Sequence, residues 1–256
     1  MDKPRDVGIH VLITGSSGGV GRALAMAYAK PGVHLSLLGR QVHLLEEVAF
    51  EARRKGALVD LYSLDLRKTE ALITQIESID TAHPIDLIIA NAGIAFYLDE
   101  TLPLESFEEI QQTIEVNLLA AIATVTPLIP RMQQRQRGHI AFVSSVAAYY
   151  GLEICPSYCA SKAGLKAYAE ALHTLLKKDK IQVSVICPGF IESAMSVKYH
   201  HQKHGLLLAE AAAKKIKQGL QRNKANITFP FFLGLGMRIL SILPTAMSEF
   251  FLGVFL

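Results

Sequence analysis

Thr14-Gly15-Ser16-Ser17-Gly18-Gly19-Val20-Gly21 decides the fold of this chain. Residues 7–13, just before it, are apolar and read as a strand. A helical pattern over residues 22–30 follows and closes on Pro31-Gly32. A strand, a glycine-rich turn and a helix make a cradle for phosphate. Small residues let the backbone approach the anion, and the positive end of the helix favours its charge. Any tight strand-to-helix turn needs glycine too, so the spacing carries the argument. Thr-Gly-x-x-x-Gly-x-Gly differs from the Gly-x-Gly-x-x-Gly fingerprint of the Rossmann dinucleotide turn.

The alternation continues outward from this turn. Residues 33–38, 57–63, 85–90, 140–143 and 181–186 read as strands. Residues 41–55, 104–136, 156 onward and 209–220 read as helices. Six strands alternating with helices imply an α/β fold, a Rossmann-type doubly wound parallel sheet with right-handed crossovers. Its binding crevice lies at the carboxyl ends of the strands, where the turns fall. No repeat or low-complexity linker divides the chain. One domain, residues 1–224, is expected, with an apolar C-terminal extension over 225–256 that is not a domain of its own.

A second constellation runs from Ser144-Ser145 to Tyr158 and Lys162. Pro156 suits the first turn of a helix, where its missing N–H has no partner to lose. Tyr158 and Lys162 then project from one face, four residues apart. A phenol titrates near 10 and is a poor acid or base at neutral pH. A lysine ammonium about 4 Å away, at an effective dielectric of about 20, is worth roughly 4 kcal/mol. That is about three pKa units, enough to bring the phenol near pH 7. Tyr-x-x-x-Lys recurs by chance, so its partners decide.

Taken together, these motifs agree in identity, order and spacing, and residues 7–220 resemble the short-chain dehydrogenase/reductase family. The resemblance implies hydride transfer between nicotinamide C4 and a carbonyl or secondary alcohol, without metal. Tyr158 would be the general acid in reduction and base in oxidation. Lys162 would lower its pKa and bind the nicotinamide ribose. Ser145, thirteen residues before the tyrosine, would polarise the carbonyl. Asn117 would kink its helix and hold a water in a proton relay. Cofactor contacts would come from Gly15, Ser17, Gly19, Val20 and Gly21, and from Tyr158 and Lys162 themselves. Asp65 and Leu66 would meet the adenine, although Asp65 equally caps the next helix. Asn91-Ala92-Gly93 would lie beside the adenosine ribose; Ala90 stands where relatives usually have a first asparagine. Pro188, Gly189, Ile191 and Ser193 resemble the Pro-Gly-x-Val-x-Thr turn that faces the nicotinamide. After the second strand the acid that would hold an NAD ribose is absent and Arg40 is present, which favours NADP(H) over NAD(H). A solvated arginine opening the next helix is the alternative. Relatives that prefer NADP often carry a basic residue at the position of Gly18.

Composition narrows the rest. The chain is 50% hydrophobic and 19% charged, which excludes disorder, and a net charge of +3 gives no case for nucleic acid. Three cysteines without paired spacing fit a reducing compartment. The first residues lack the apolar core of a signal peptide, so cytoplasmic residence is expected. His200, His201 and His204 have no carboxylate or cysteine beside them and read as a basic lid. Tyr149, Tyr150, Leu152, Phe96, Met195 and Leu206-Leu207-Leu208 suggest an apolar substrate. Arg131, Arg135 and Arg137 would complement a helix dipole.

The extension carries only Arg238 and Glu249 as charges. Thirteen residues separate Pro230 from Pro244, roughly 20 Å of helix, too short for a bilayer core of about 30 Å. Gly234, Arg238 and Ser241 share one narrow stripe on a helical wheel, and nearly everything else is apolar. Three readings stay open: an interfacial membrane anchor, an arm of a homodimer or homotetramer, and a wall over the active site. A dinucleotide-sensing protein would be expected to lose the tyrosine or lysine. A membrane-surface scaffold with little turnover would rely on the extension alone.

Overall fold

β1 (His10–Thr14) is buried along its whole length, and its alternate side chains feed two cores. Val11 and Ile13 join one hydrophobic cluster and Leu12 the other. A strand apolar on both faces needs helices on both sides, and that requirement builds the molecule. The structure, a computed structural model, describes residues 8–98, 104–192 and 206–255.

β2 (His34–Gly39), β3 (Leu58–Ser63), β4 (Leu87–Ala90), β5 (Gly138–Val143), β6 (Ile181–Pro188) and β7 (Asn226–Phe229) complete the sheet. Its order is β3-β2-β1-β4-β5-β6-β7, and every pairing is parallel. α1 (Gly19–Tyr28), α2 (Val42–Arg54) and α8 (Ala209–Gln221) cover one face. α3 (Thr69–Ala82), α5 (Ala120–Val125), α6 (Leu128–Arg135) and α7 (Pro156–Leu176) cover the other. The order reverses between β1 and β4, where the Rossmann crevice opens.

Two expectations are corrected. The sheet has seven strands, not six: Asn226–Phe229 reads as the start of the apolar extension yet pairs with β6. Four residues give too short an alternation to register as a strand in sequence. The long helical stretch begins at Phe107, in α4 (Phe107–Ile114), because Ser106 and Glu109 form a reciprocal capping box there. It is then interrupted by a π-turn, Glu115–Leu119. By length and composition residues 107–135 form one helical stretch apolar enough to cross a membrane. Here Ala120, Val125, Leu128 and Met132 are buried in the core against the sheet.

The three arginines do more than complement a dipole. Arg135 donates from both Nη atoms to the buried Asp80, Arg131 reaches Thr81, and Arg137 pairs with Asp86. Asp80 in turn accepts from the Ile85 N–H, which fastens the end of α3 to the start of β4.

After β7, α9 (Phe231–Leu240) and α10 (Thr245–Phe255) fold back over the carboxyl end of the sheet. Ser248 Oγ donates to the Leu240 carbonyl and holds the two together.

Candidate active site

The glycine turn leaves β1 and enters α1 with Gly18 as N-cap, no side-chain cap and no acidic residue in the first turn. No acidic side chain of its own first turn therefore occupies the positive end of this helix. Gly21 makes the packing possible, since a Cβ there would stand 2.0 Å from the Gly15 carbonyl oxygen. Asn91 braces the turn from β4: its N–H donates to Thr14 Oγ1 at 3.0 Å and its side-chain amide to the Thr14 carbonyl at 3.0 Å. Gly15, Ser17, Gly18, Gly19, Val20, Arg40, Asp65, Leu66, Asn91, Ala92 and Gly93 line one end of a cavity of about 1070 Å³. Gly21 lies beneath that lining rather than in it. Arg40 is exposed at the end of β2. Arg67 chelates the Asp65 carboxylate at 2.6 and 3.1 Å and, with Arg40 nearby, holds it down to about 2. An uncapped helix start, a glycine floor and an exposed arginine fit a dinucleotide phosphate.

At the other end of the cavity stand Ser145, Tyr158 and Lys162. Ser145 leaves β5 in an extended conformation, accepts from the Ala147 N–H at 3.1 Å and lies beside the Tyr158 hydroxyl. Ser144 has a different job: its Oγ donates to the Lys162 carbonyl at 2.8 Å and ties α7 to the strand end. Lys162 is 3% exposed, and its Nζ donates to the Val143 carbonyl at 2.9 Å. Burial pulls the ammonium down to about 8. Burial, with Tyr97 adding to it, pushes the Tyr158 phenol above its ordinary value. The expected lowering of the phenol by the lysine is therefore not what this geometry produces. Nζ lies 5.6 Å from the centroid of the tyrosine ring, one of its three N–H groups donates to a strand carbonyl, and desolvation dominates.

Asn117 is fully buried within the π-turn. Its Oδ1 accepts from the Ile94 N–H at 2.8 Å, and its Nδ2 donates to the Ile94 carbonyl at 2.9 Å and to Ser161 Oγ at 3.1 Å. The helix thus widens where its asparagine must clamp the loop after β4, a common use of a π-bulge. A Cβ on Gly93 would fall 3.2 Å from Asn117 Oδ1 and 3.3 Å from Lys162 Nζ. The glycine lets loop, asparagine and lysine converge.

Pro188, Gly189 and Ile191 line the cavity beside Tyr158, and Ile191 bridges to Leu207. Ser193, Met195, His200, His201 and His204 lie outside the described residues. Of the aromatic and aliphatic residues read as substrate-facing, Leu152 lines the cavity, whereas Tyr149, Tyr150 and Phe96 do not. Tyr149 instead accepts from Arg238 Nη2 at 2.6 Å and shares a hydrogen bond with Thr228 Oγ1 at 3.0 Å.

The far wall comes from the tail. Phe232, Leu233, Gly236, Met237, Ile239 and Leu240 of α9 line the cavity, joined by Leu243 and by Phe251 of α10. Of the narrow stripe, Gly234 packs on Thr228 of β7 and the exposed Arg238 reaches Tyr149, while Ser241 stays exposed. Phe232 is 83% exposed and Ile242 81%, so apolar side chains face outward. Tyr97, Ile154 and Cys155 also line the cavity and escape the sequence reading, because none belongs to a spaced motif.

A comparison of the chain with protein families matches residues 9–204 to short chain dehydrogenase. An uncharacterized oxidoreductase of Myxococcus xanthus is 33% identical over 93% of this chain and 94% of its own. 3-Dehydrosphinganine reductase TSC10A of Arabidopsis thaliana is 32% identical over 96% of this chain and 78% of its own. Among solved structures, a short-chain dehydrogenase from Sphingobium yanoikuyae in complex with NADPH superposes with a TM-score of 0.79 at 23% identity, covering 87% of this chain and 88% of that one. One from Burkholderia phymatum in complex with NAD gives 0.81 at 20% identity, covering 91% and 92%. The protein belongs to the short-chain dehydrogenase/reductase family. It is an NAD(P)-dependent oxidoreductase acting on alcohol and carbonyl groups.

Proposed function

We propose that the protein interconverts the carbonyl and secondary alcohol of an apolar, lipid-like molecule and favours NADP(H) over NAD(H). The observation that carries this reading is one cavity with Tyr158 and Ser145 at its base and a wall of tail-derived Phe, Leu, Ile and Met. The 3-dehydrosphinganine reductase of Arabidopsis among its relatives supports the substrate class. Bound nicotinamide supplies or accepts the hydride. Ser145 Oγ holds the carbonyl oxygen, and Tyr158 gives that oxygen its proton. A phenol kept protonated by burial is ready for the donor's part, which reduction requires. Lys162 and Tyr158 hold the nicotinamide ribose. Asn117 fixes the loop at Ile94 and keeps Gly93 against Lys162. Gly15, Ser17, Gly19 and Val20 hold the pyrophosphate, over a floor that Gly21 lets close. Arg40 takes the 2′-phosphate, Asp65 and Leu66 meet the adenine, and Asn91, Ala92 and Gly93 meet its ribose. Pro188, Gly189 and Ile191 face the nicotinamide.

Residues 1–224 act as the catalytic domain, and 225–256 complete its site rather than fold alone. The tail is apolar on both sides: Leu233, Met237 and Leu240 face the cavity, while Phe231, Ile242 and Phe250 are exposed, unlike a helix facing water. That observation favours a protein on the cytoplasmic side of a membrane, its tail in the lipid interface and the cavity mouth open to lipid. An oligomer contact is the competing use of the same face.

Consumption of NADPH over a panel of lipophilic ketones, including 3-oxoacyl thioesters and steroids, tests the substrate class. Turnover confined to small polar ketones overturns it. Titration of both cofactors tests the preference. Arg40 should favour NADPH by roughly 10- to 100-fold, as a hydrogen bond to a charged group is worth about 1.5–3 kcal/mol. Arg40→Asp should erase that ratio; equal wild-type affinities would refute it.

A further inference from the structure

Cys155 and Cys159 flank Tyr158 in sequence, and their sulfurs lie 3.8 Å apart in the first turn of α7. Both are free thiols. Cys155 is the N-cap, with φ −158° and ψ 63°, so it stands outside the helical backbone and its sulfur can move without unwinding the helix. It also lines the cavity, which Cys159 does not, so a small oxidant reaches Cys159 past the Cys155 side chain. Cys159 Sγ accepts from the Leu152 N–H at 3.3 Å. The hydrogen bond shared with Cys155 favours the Cys159 thiolate, burial opposes it and the backbone donor adds to it, while Cys155 is pushed the other way. One sulfur is thus the readier nucleophile, and the other is a protonated thiol within reach.

We infer that Cys155 and Cys159 form a reversible oxidation site that closes to a disulfide when a hydroperoxide reaches the cavity. The Cys159 thiolate attacks the peroxide, the O–O bond breaks, and an alcohol leaves after taking a proton, with sulfenic acid left on Cys159. The Cys155 sulfur then attacks that sulfur; the S–O bond breaks, and the hydroxide departs as water with the Cys155 proton. Two thiols lose two electrons and two protons, and the hydroperoxide is reduced to alcohol and water. A disulfide brings sulfurs to about 2 Å, so the pair must close by almost half its present separation. Cys155, Cys159 and Ala147 form the small cluster against which Tyr97, Leu152, Ile154 and the Tyr158 ring pack. Closing the pair therefore displaces the tyrosine. This consequence for turnover rests on the role proposed for Tyr158.

The test treats the full chain with hydrogen peroxide and counts thiols after denaturation. The three cysteines should fall to one, because Cys187 lies buried at the end of β6. Mass should drop by about 2 Da without cross-linking between chains, and dithiothreitol should restore it. Cys159→Ala should keep both remaining thiols under the same treatment, whereas Cys155→Ala should form no disulfide and stop at a sulfenic acid on Cys159. NADPH-dependent turnover of the oxidised wild type should fall roughly tenfold or more, and recover on reduction. Three surviving thiols, a bond through Cys187 or an intermolecular link overturns the proposal. A disulfide that leaves turnover unchanged overturns the control of Tyr158. If the reduced protein turns over no carbonyl, the proposed function fails, while mass and thiol count still decide the oxidation site.

Discussion

Tyr158 is held protonated by burial, and the hydroxyl it presents is the only part of it that a phenylalanine lacks. Tyr158→Phe should cut kcat by roughly 10²–10⁴ while NADPH affinity stays within about twofold, read by steady-state kinetics and fluorescence titration. Turnover near the wild-type rate would remove the tyrosine from the mechanism. Two glycines of the turn separate floor from lining. Gly21→Ala puts a methyl 2.0 Å from a carbonyl oxygen and should cost about 1–3 kcal/mol in urea melts, with the cofactor turn lost. Gly18 has an extended backbone, φ −169°, and open space around a Cβ, and it lines the cavity. Gly18→Arg should therefore fold normally and raise NADPH affinity several-fold, by about 1 kcal/mol or more. A stability loss equal to that of Gly21→Ala would show that the two positions do not differ as described.

α9 is joined to the domain by few polar contacts, chiefly Arg238 on Tyr149, where the guanidinium also lies 4.6 Å from the ring centroid. Arg238→Met keeps an apolar stem and loses both the hydrogen bond and the charge. Because this contact is partly exposed, about 1 kcal/mol is a fair expectation, seen as a roughly fivefold rise in KM for a long-chain ketone with kcat little changed. An unchanged KM would mean that the wall stands without this tie. Deleting everything after Pro230 goes further and opens the cavity. Loss of vesicle co-sedimentation together with loss of activity on apolar ketones supports the interfacial wall. Loss of the oligomer alone on a sizing column supports an arm. If the truncated protein stays soluble, keeps its assembly and reduces apolar ketones normally, the tail has neither part.

Across the whole molecule, the amino ends of the strands carry neutral histidines, far from the catalytic turns. His139 Nε2 is paired with Ser184 Oγ at 2.8 Å and His10 Nε2 with Ser36 Oγ at 2.8 Å. Burial lowers both, His139 to about 4. The unfolded chain binds these protons first, so stability is full above about 6.5 and falls as pH drops towards 4. For His139 the shift corresponds to about 3 kcal/mol at the acid end. Urea melts at pH 7 and 4.5 should show this loss, and His139→Gln should show a smaller one. Equal pH dependence in both proteins would refute the assignment.

Short-range order was legible throughout the chain. Spacing marked the glycine turn and the Tyr-Lys pair of α7, because each depends on residues a few positions apart, and the family resemblance marked the serine after β5. The alternation of apolar runs likewise implied a doubly wound parallel sheet, since strands apolar on both faces leave few other ways to be covered. Burial and long-range partners were not legible. Asn117 lies in an ordinary-looking helical pattern, and only folding shows the π-turn and its bond to Ile94, 23 residues away. The lysine's donor goes to Val143, so the electrostatic balance at Tyr158 was set by desolvation that no spacing reports. The tail is the plainest case. Its composition left anchor, arm and wall equally open, whereas β7 fixes where α9 begins and Arg238 on Tyr149 fixes which way it faces. A helix's apolar stripe is a local property. Whether it meets a cavity or an outer phase depends on contacts between distant segments, and those exist only in the folded chain.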